Sequence, residues 1–528
     1  MNTALLDPEK GSRAETRAAR LGKPVRDLAG RYKTLGVFAA LLAITTLRHE
    51  MWLDETQAWV IVRDSRNFLD VLHQLHYEGH AGLWYLLIFF PAHLFRSMVW
   101  MQGINYVLAV SMAWLVLREE RMDSTLRVLV LFSFPVFFAM GSVSRDYVLS
   151  GILLLAASRC LRLEQPRHWL AMGLLALTIN SHFLAIPIAL SIFVWMYWLY
   201  PEQSWSVIKG KLKQWQFWLS LAILASALMA CYFTLRPASD LYTPHYQHAG
   251  VTRFGYLILG IGRVWHYFLP IPLNMLPETD QALLVPWEHP SWLAMCLTIC
   301  LWLLVVSALS TARSRWFMLS TPPLWMAGVW ATVHVPTIFH ATFISVIFVI
   351  ALTLDTPRGK EDTPGRKERG WGPRFAPHVL VTVLAVQTIM CAFAICSEWS
   401  QPFSGEKATA EWLKSAGLTT RPLVIQPDLI GPAILGYSGI RSAYYPACQC
   451  SGSFVILNRH RDPNRQVTPE ELQELRNRSR VAAVVISRSE LPEDNLKRLG
   501  LRLVYVPPHN WFWARETIFV YDSANPSG

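Results

Sequence analysis

The stretch LDETQAWVIVRDSRNFLDVLHQLHYEGHAGLWYLL, residues 53–87, sets Asp54, Glu55, Asp64, Asp70 and Glu78 beside His73, His76 and His80. It lies between the apolar runs 34–48 and 80–96, so its ionisable groups collect where hydrocarbon gives way to water. Leu53, Trp59, Val60 and Val62, then Phe68, Leu69, Leu72 and Leu75, recur at helical spacing with polar residues between them. That pattern predicts two short amphipathic helices lying on a membrane, holding Asp54 at its boundary. Asp54 and Glu55 are adjacent, so on a helix they point about 100° apart. They cannot act as a close carboxylate pair: one faces a cavity, and the other caps the helix or forms an ion pair. An acid at a helix start is equally an ordinary N-terminal device.

Outward from this stretch, the chain of 528 residues is 52% hydrophobic and only 16% charged, with 23 Trp, and its charges fall in islands between long apolar runs. This composition marks a polytopic α-helical membrane protein. Residues 1–33 are polar and basic (Lys10, Arg13, Arg17, Arg20, Lys23, Arg26, Arg31 and Lys33) and lack the pattern of a signal peptide. They are expected to form a cytoplasmic tail. The net charge of +11 is then mostly topology, because the basic residues are spread over several connections rather than one patch. Nucleic acid is not expected as a partner. Cys160, Cys231, Cys296, Cys300, Cys391 and Cys396 lie in or beside apolar runs, where Cys behaves as a small hydrophobe.

Thirteen apolar runs occur, at 34–48, 80–96, 98–117, 127–142, 146–159, 169–181, 183–200, 216–235, 255–270, 291–310, 315–335, 337–354 and 377–397. The Lys/Arg-rich connections 159–167, 209–213, 313–315 and 358–374 should face the cytoplasm. They do so together if 80–96 and 255–270 are re-entrant or interfacial, giving 11 spans, or 13 if both cross. Either count is odd, which puts the N-terminus inside and the chain end outside. The 11-span order also brings Arg145–Asp146 and Asn180–His182 to the face that carries residues 48–79. The expected organisation is a tail at 1–33, a membrane domain at 34–397 with external loops 48–79 and 236–290, and an external α/β domain at 398–528. In that last domain, 406–416 and 469–476 read as helices. The runs 423–426, 454–457, 483–486, 503–506 and 518–521 read as strands.

The motif WLDETQAWVIVRD, followed about 20 residues later by YEGHAGLWYLL, resembles the GT-C membrane glycosyltransferases, above all lipid A aminoarabinose transferases and protein O-mannosyltransferase-like enzymes. In that family the first external loop opens with an Asp-Glu pair and two juxtamembrane helices, and the next apolar segment opens with a basic residue before a Pro-Pro-Leu-Tyr-type run. Here His80 fills the basic slot and Ala81-Gly82 replace the prolines. The likeness extends through MGSVSRDYVLS (140–150) and LTINSHFLAIP (177–187), where His182 stands at another usually basic slot, and loosely into LVIQPDLIGPAILGY (423–437). Ser150 stands where some relatives carry an Asp, so an ion pair of those relatives is expected to be missing.

The resemblance implies transfer of a sugar from a polyprenyl-phosphate donor to an acceptor hydroxyl, usually with inversion, at the outer face of the inner membrane. The acceptor is a lipid, a glycan or a protein. Such a reaction needs a base for the acceptor proton, for which Asp54 stands out with Glu55 in support. It needs positive groups for the departing phosphate, and Arg145, His80 and His182 are the candidates. It also needs apolar walls for the lipid tail. Trp84, Tyr85 and Asp146 are candidate substrate contacts.

Each residue has a plainer reading. Arg145 and Asp146 make a local ion pair, His182 packs between helices, and Trp84 with Tyr85 forms an interfacial aromatic belt. His73, His76 and His80 have spacings compatible with a metal site. Nothing completes the ligand set, so neither a metal nor another cofactor is expected, although distant relatives use a divalent cation. Cys448 and Cys450 read as a metal pair, a disulfide or two free thiols. The loop 236–290, with His245, His248, Arg253, Arg263, His266, Glu278 and Glu288, has the length of a functional loop. The rival function is a secondary transporter or lipid-linked-sugar flippase, whose ionisable groups would sit at mid-membrane on broken helices. A bare membrane anchor for the external domain would not need so many spans.

Overall fold

The chain begins with one long helix, α1 (Pro8–Arg48), in which the apolar span Leu28–Arg48 continues a polar first half without a break. Two short helices follow, α2 (Leu53–Asp64) and α3 (Phe68–Glu78), then α4 (Gly82–Phe95) and α5 (Val99–Leu117). α6 (Ser124–Leu131) meets a π-helical segment, Phe134–Ser142, at a bend of 44°. Next come α7 (Asp146–Arg162), α8 (His168–Ile179), α9 (Ile186–Ile192) with a π-helical continuation at Phe193–Trp198, α10 (Trp205–Leu212) and α11 (Trp215–Leu235). The membrane part ends with α12 (Arg253–Phe268), α13 (Trp292–Ala308), α14 (Ala312–Thr332), α15 (Phe343–Leu354) and α16 (Trp371–Ser400). This computed structural model describes residues 8–95, 97–120, 122–163, 165–199, 205–241, 253–268, 291–332, 337, 339–355, 371–508 and 517–523. His245, His248, Glu278 and Glu288 of the expected external loop lie outside the described residues.

Among the described residues, four helices are long and apolar enough to cross a membrane: Leu28–Arg48, Val99–Leu117, Trp215–Leu235 and His378–Ser400. The bent pair at 124–142 makes a fifth if it is one span, and six shorter apolar helices pack among them. The chain is a multi-pass helical membrane protein with a C-terminal sheet domain. α4 has 14 residues and so reaches only about 21 Å, short of the roughly 30 Å of a hydrocarbon core. The main core is built around Phe38, Phe137, Phe138, Phe317 and Phe343, all fully buried.

α2 departs from the expected amphipathic helix. Every residue from Glu55 to Val62 is buried, because the helix is covered by α4 on one side and by the C-terminal domain on the other. A short helix that is apolar on most of its surface needs such cover. α3 keeps the expected form: Asn67 caps its start by accepting from the Asp70 N–H at 3.0 Å, while Val71 and Leu75 turn inward and Leu69 outward. Its end is fixed by Gly79, which sits at φ +69° and returns its N–H to the Leu75 carbonyl, a left-handed stop that costs glycine little. That turn aims His80 back toward the helix ends.

The C-terminal domain places β1 (Leu423–Gln426) and β4 (Val484–Ser487) side by side in parallel at the centre of a six-stranded sheet of order β3-β2-β1-β4-β6-β5. β2 (Ala443–Tyr445) joins β1 in parallel, while β3 (Cys450–Gly452), β5 (Leu501–Tyr505) and β6 (Phe519–Ser523) pair antiparallel with their neighbours. Helices α17 (Glu406–Ser415) and α18 (Gly431–Ser438) cover one face. Helices α19 (Pro469–Ser479) and α20 (Glu493–Leu499) cover the other. Four of the five expected strands form. Residues 454–457 do not: the Val455 backbone bonds to the Gln57 side chain of α2 instead of a neighbouring strand. Cys448 and Cys450 form a disulfide across the turn between β2 and β3.

Candidate active site

The two acids that open α2 have opposite fates. Glu55 is fully buried and both its oxygens are engaged: Oε1 accepts from the Ser144 N–H at 2.5 Å, and Oε2 accepts from the Trp52 N–H at 3.3 Å and faces His49 Nε2 at 3.0 Å. The Asp54 side chain is half exposed, with Oδ2 3.2 Å from Arg145 Nη1. The adjacency of the two residues therefore divides them as helical geometry requires: Glu55 fastens the turn, while Asp54 faces Arg145 with half of its side chain exposed.

Arg145 comes from the connection between the first π-helical segment and α7, and its side chain is only 9% exposed. The Ser144 N–H donated to Glu55 sets where that connection lies. π-Helical turns are uncommon and recur at functional sites. Besides Asp54, Arg145 reaches His80 Nε2 from Nη2 at 3.2 Å and lies over the Tyr147 ring at 5.6 Å. Guanidinium nitrogens only donate, so His80 Nε2 accepts, and a neutral His80 carries its proton on Nδ1. That Nδ1 faces Asp146 Oδ2 at 3.6 Å. His182, fully buried on the turn after α8, accepts the Leu184 N–H at Nδ1 at 3.0 Å. Its proton is therefore on Nε2, 4.0 Å from Asp146 Oδ1. Burial pushes His182 down to about 4, so its ring is neutral near neutral pH.

A single chain of groups results: Asp54, Arg145, His80, Asp146, His182. The structure thus brings together five of the eight residues singled out in the sequence: two carboxylates, two imidazoles and one guanidinium. Glu55 stands behind them as a strut. Trp84 and Tyr85 are each only 2% exposed and pack in the cluster formed by α2, α3 and α4. Ser150 donates to the Asp146 carbonyl at 3.0 Å and bonds to Ser181 at 2.8 Å, so a buried hydroxyl pair stands beside Asp146.

His80, Asp146 and His182 are the grouping among the described residues whose ligand atoms lie within 4.8 Å of one another, close enough for a cation. The hydrogen bonds argue against that use. A metal-bound imidazole nitrogen must offer a lone pair and carry its proton on the other nitrogen. Both rings here have the reverse arrangement, since His80 Nε2 and His182 Nδ1 already accept. The protonated nitrogens of both rings instead face the buried Asp146 carboxylate from 3.6 and 4.0 Å, outside direct hydrogen-bond distance.

Three groups escaped the sequence reading. Tyr147 stacks near both Arg145 and His182. His340, just before α15, lies 6.5 Å from the His182 ring and accepts the Thr337 N–H at Nδ1. Glu78, at the end of α3, accepts from Gln57 Nε2 at 2.7 Å, and burial pushes its carboxyl up. A polar ring inside an apolar run was the available signal for His340. For Glu78 only its place beside His80 pointed there.

Beyond the polar cluster, an apolar cavity of about 400 Å³ opens between α12, α13, α14, α15 and α16. Leu257, Trp302, Trp325, Ile344, Phe348 and Leu384 are among its walls. It adjoins the site through α15, where Phe343, next to Ile344, packs against the His182 ring at 5.3 Å.

The chain matches no protein-family model and no curated protein. Among solved structures it is similar to the arabinofuranosyltransferase AftD from Mycobacteria, determined by single-particle cryo-electron microscopy. The identity is 13% and the TM-score 0.37, and the match covers 93% of this chain and 42% of that one. The chain thus spans less than half the length of that protein.

Proposed function

We propose that this chain is a membrane glycosyltransferase that moves a sugar from a polyprenyl-phosphate donor to an acceptor hydroxyl at the outer face of the inner membrane. The observation that carries the reading is the half-exposed Asp54 carboxylate, 3.2 Å from a nearly buried Arg145 at the ends of membrane helices. Transfer with inversion forms a bond from the acceptor oxygen to the anomeric carbon as the bond from that carbon to the phosphate oxygen breaks. Asp54 takes the acceptor proton. The electron pair of the broken bond leaves on the polyprenyl phosphate, whose charge Arg145 meets in surroundings of low dielectric.

The tautomers divide the remaining roles. His80 accepts from Arg145 and donates toward Asp146, so it holds the guanidinium rather than the phosphate. His182 presents Nε2–H toward the same centre. Asp146 orients both rings, and Glu55 fixes the backbone on either side of the Asp54–Arg145 pair. The cavity behind Phe343 suits the first isoprene units of the donor, because its walls are almost wholly apolar. Trp84 and Tyr85 support the helix that carries this arrangement. No metal enters the proposed step. The N-terminus would lie in the cytoplasm and the sheet domain outside, where a disulfide is at home.

Mass spectrometry of cell-envelope glycans, lipids and proteins tests the reading, comparing cells that carry the wild-type chain, the Asp54→Asn variant or neither. A glycosylated product present only with the wild type is the expected result. A product that persists with Asp54→Asn overturns the assignment of the base.

A further inference from the structure

Four elements meet at His49, a residue outside the chain of groups described above. It follows α1 directly and is 2% exposed. Its Nε2 lies 3.0 Å from Glu55 Oε2, and its Nδ1 lies 3.0 Å from Glu398 Oε1 in the last turns of α16. Carboxylates only accept, so both bonds are made when both ring nitrogens carry protons. Phe403, with its ring centre 4.8 Å away, and Phe138, at 6.3 Å, close the site against water. The main-chain carbonyl of His49 is held as well, by Gln102 Nε2 at 3.1 Å.

Glu55 links this buried cation to the chemistry. Asp54 is its neighbour in the chain, and Ser144, whose N–H it accepts, is the neighbour of Arg145. One carboxylate thereby registers the backbone that carries the base against the backbone that carries the guanidinium. Without a donor at His49 Nε2, the fully buried Glu55 Oε2 would lose a charge-assisted bond and keep only the Trp52 N–H at 3.3 Å.

We propose that His49 is a positioning residue that sets the spacing of Asp54 and Arg145 by holding Glu55 in place. The inference rests on the function proposed above for its effect on transfer, though the geometric claim stands apart from it. A misplacement of about 1 Å at a reacting group is enough to slow a reaction by about a hundredfold.

The test uses the full-length chain in lipid nanodiscs, its structure determined by cryo-electron microscopy, together with the product measurement in cells. In His49→Gln both N–H donors sit on one uncharged nitrogen, which does not reach the two carboxylates that the separate ring nitrogens hold. The expected result is that Ser144 and Glu55 separate, Arg145 moves away from Asp54, and product falls by about tenfold to a hundredfold at an unchanged membrane level of protein. Glu398→Gln still offers an oxygen to Nδ1–H, so it shifts the pair less than His49→Gln does. A His49 that only ties α1 to α16 would make the two variants alike. An Asp54–Arg145 spacing unaltered in His49→Gln overturns the proposal. Should His49→Gln fail to fold, Glu55→Gln breaks the same link from the other side and must displace the pair. A wild-type chain that yields no product sinks the functional reading, while the structures still decide the positioning claim.

Discussion

Asp54 and Glu55 show how neighbouring residues of one chemical type acquire different surroundings on a single helix, one half exposed beside Arg145 and the other buried among donors. Asp54→Asn keeps the shape and removes the proton acceptor, so transfer should drop by about a hundredfold or more while polyprenyl phosphate still binds. Product measurement beside a fluorescence titration with undecaprenyl phosphate separates the two effects. Arg145→Ala should weaken binding of that same probe by about tenfold to a hundredfold, the loss of a charge-assisted contact in a site nearly closed to water. His49 gives the pH dependence. Burial works against its charge, but Glu55 and Glu398 override this and raise it to about 10, with Glu50 close by. A raised folded-state value stabilises fully below the ordinary histidine range and is lost as pH climbs through about 10. Melting curves in detergent from neutral to alkaline pH should fall more steeply for the wild type than for His49→Gln. The sequence made Asp54, Arg145 and His182 legible because charged or titratable groups stand out against apolar runs. It hid His49, whose meaning depends on Glu398, far along the chain and brought near only by packing.

Among the elements, α3 reads directly from its letters: an Asn cap, an inward stripe and a terminal glycine. α2 does not. Its residues carry an amphipathic-looking pattern, yet the element is enclosed, and what encloses it comes from the far end of the chain. The strand expected at 454–457 failed for the same reason, since its backbone partner is a side chain of α2 rather than another strand. The sheet itself was legible where apolar β-branched residues cluster, as in β1 and β4. It was not at β2 and β3, which have three residues each. The packing of α18 onto the sheet yields a prediction at this scale. A methyl group on Gly431 would run into the ring and hydroxyl of the buried Tyr445. Gly431→Ala should therefore destabilise the C-terminal domain by about 1–3 kcal/mol, the usual penalty of overpacking. Limited proteolysis of the domain, with the rate of cleavage compared between the two proteins, measures it.

At the scale of the whole molecule, composition established a multi-pass helical protein with an appended sheet domain before any geometry was known. Which spans cross, and in which direction, follows from how Lys and Arg are distributed over the connections. The proposed orientation makes a direct prediction. In intact cells, a membrane-impermeant maleimide should label Cys448 and Cys450 only after reduction of their disulfide, and labelling should not require the membrane to be opened. Label that appears only in opened membranes would place the sheet domain in the cytoplasm and turn the site to the wrong face for the proposed chemistry.

Gln57 gives α2 a further property. Its amide grips the Val455 backbone in both directions, at 2.8 and 3.1 Å, one helical turn beyond the acid that opens the helix. The sheet domain is thereby tied to the helix that Asp54 opens. If Asp54 is the base proposed above, an acceptor seated on that domain rests against the same short helix that carries the reacting group.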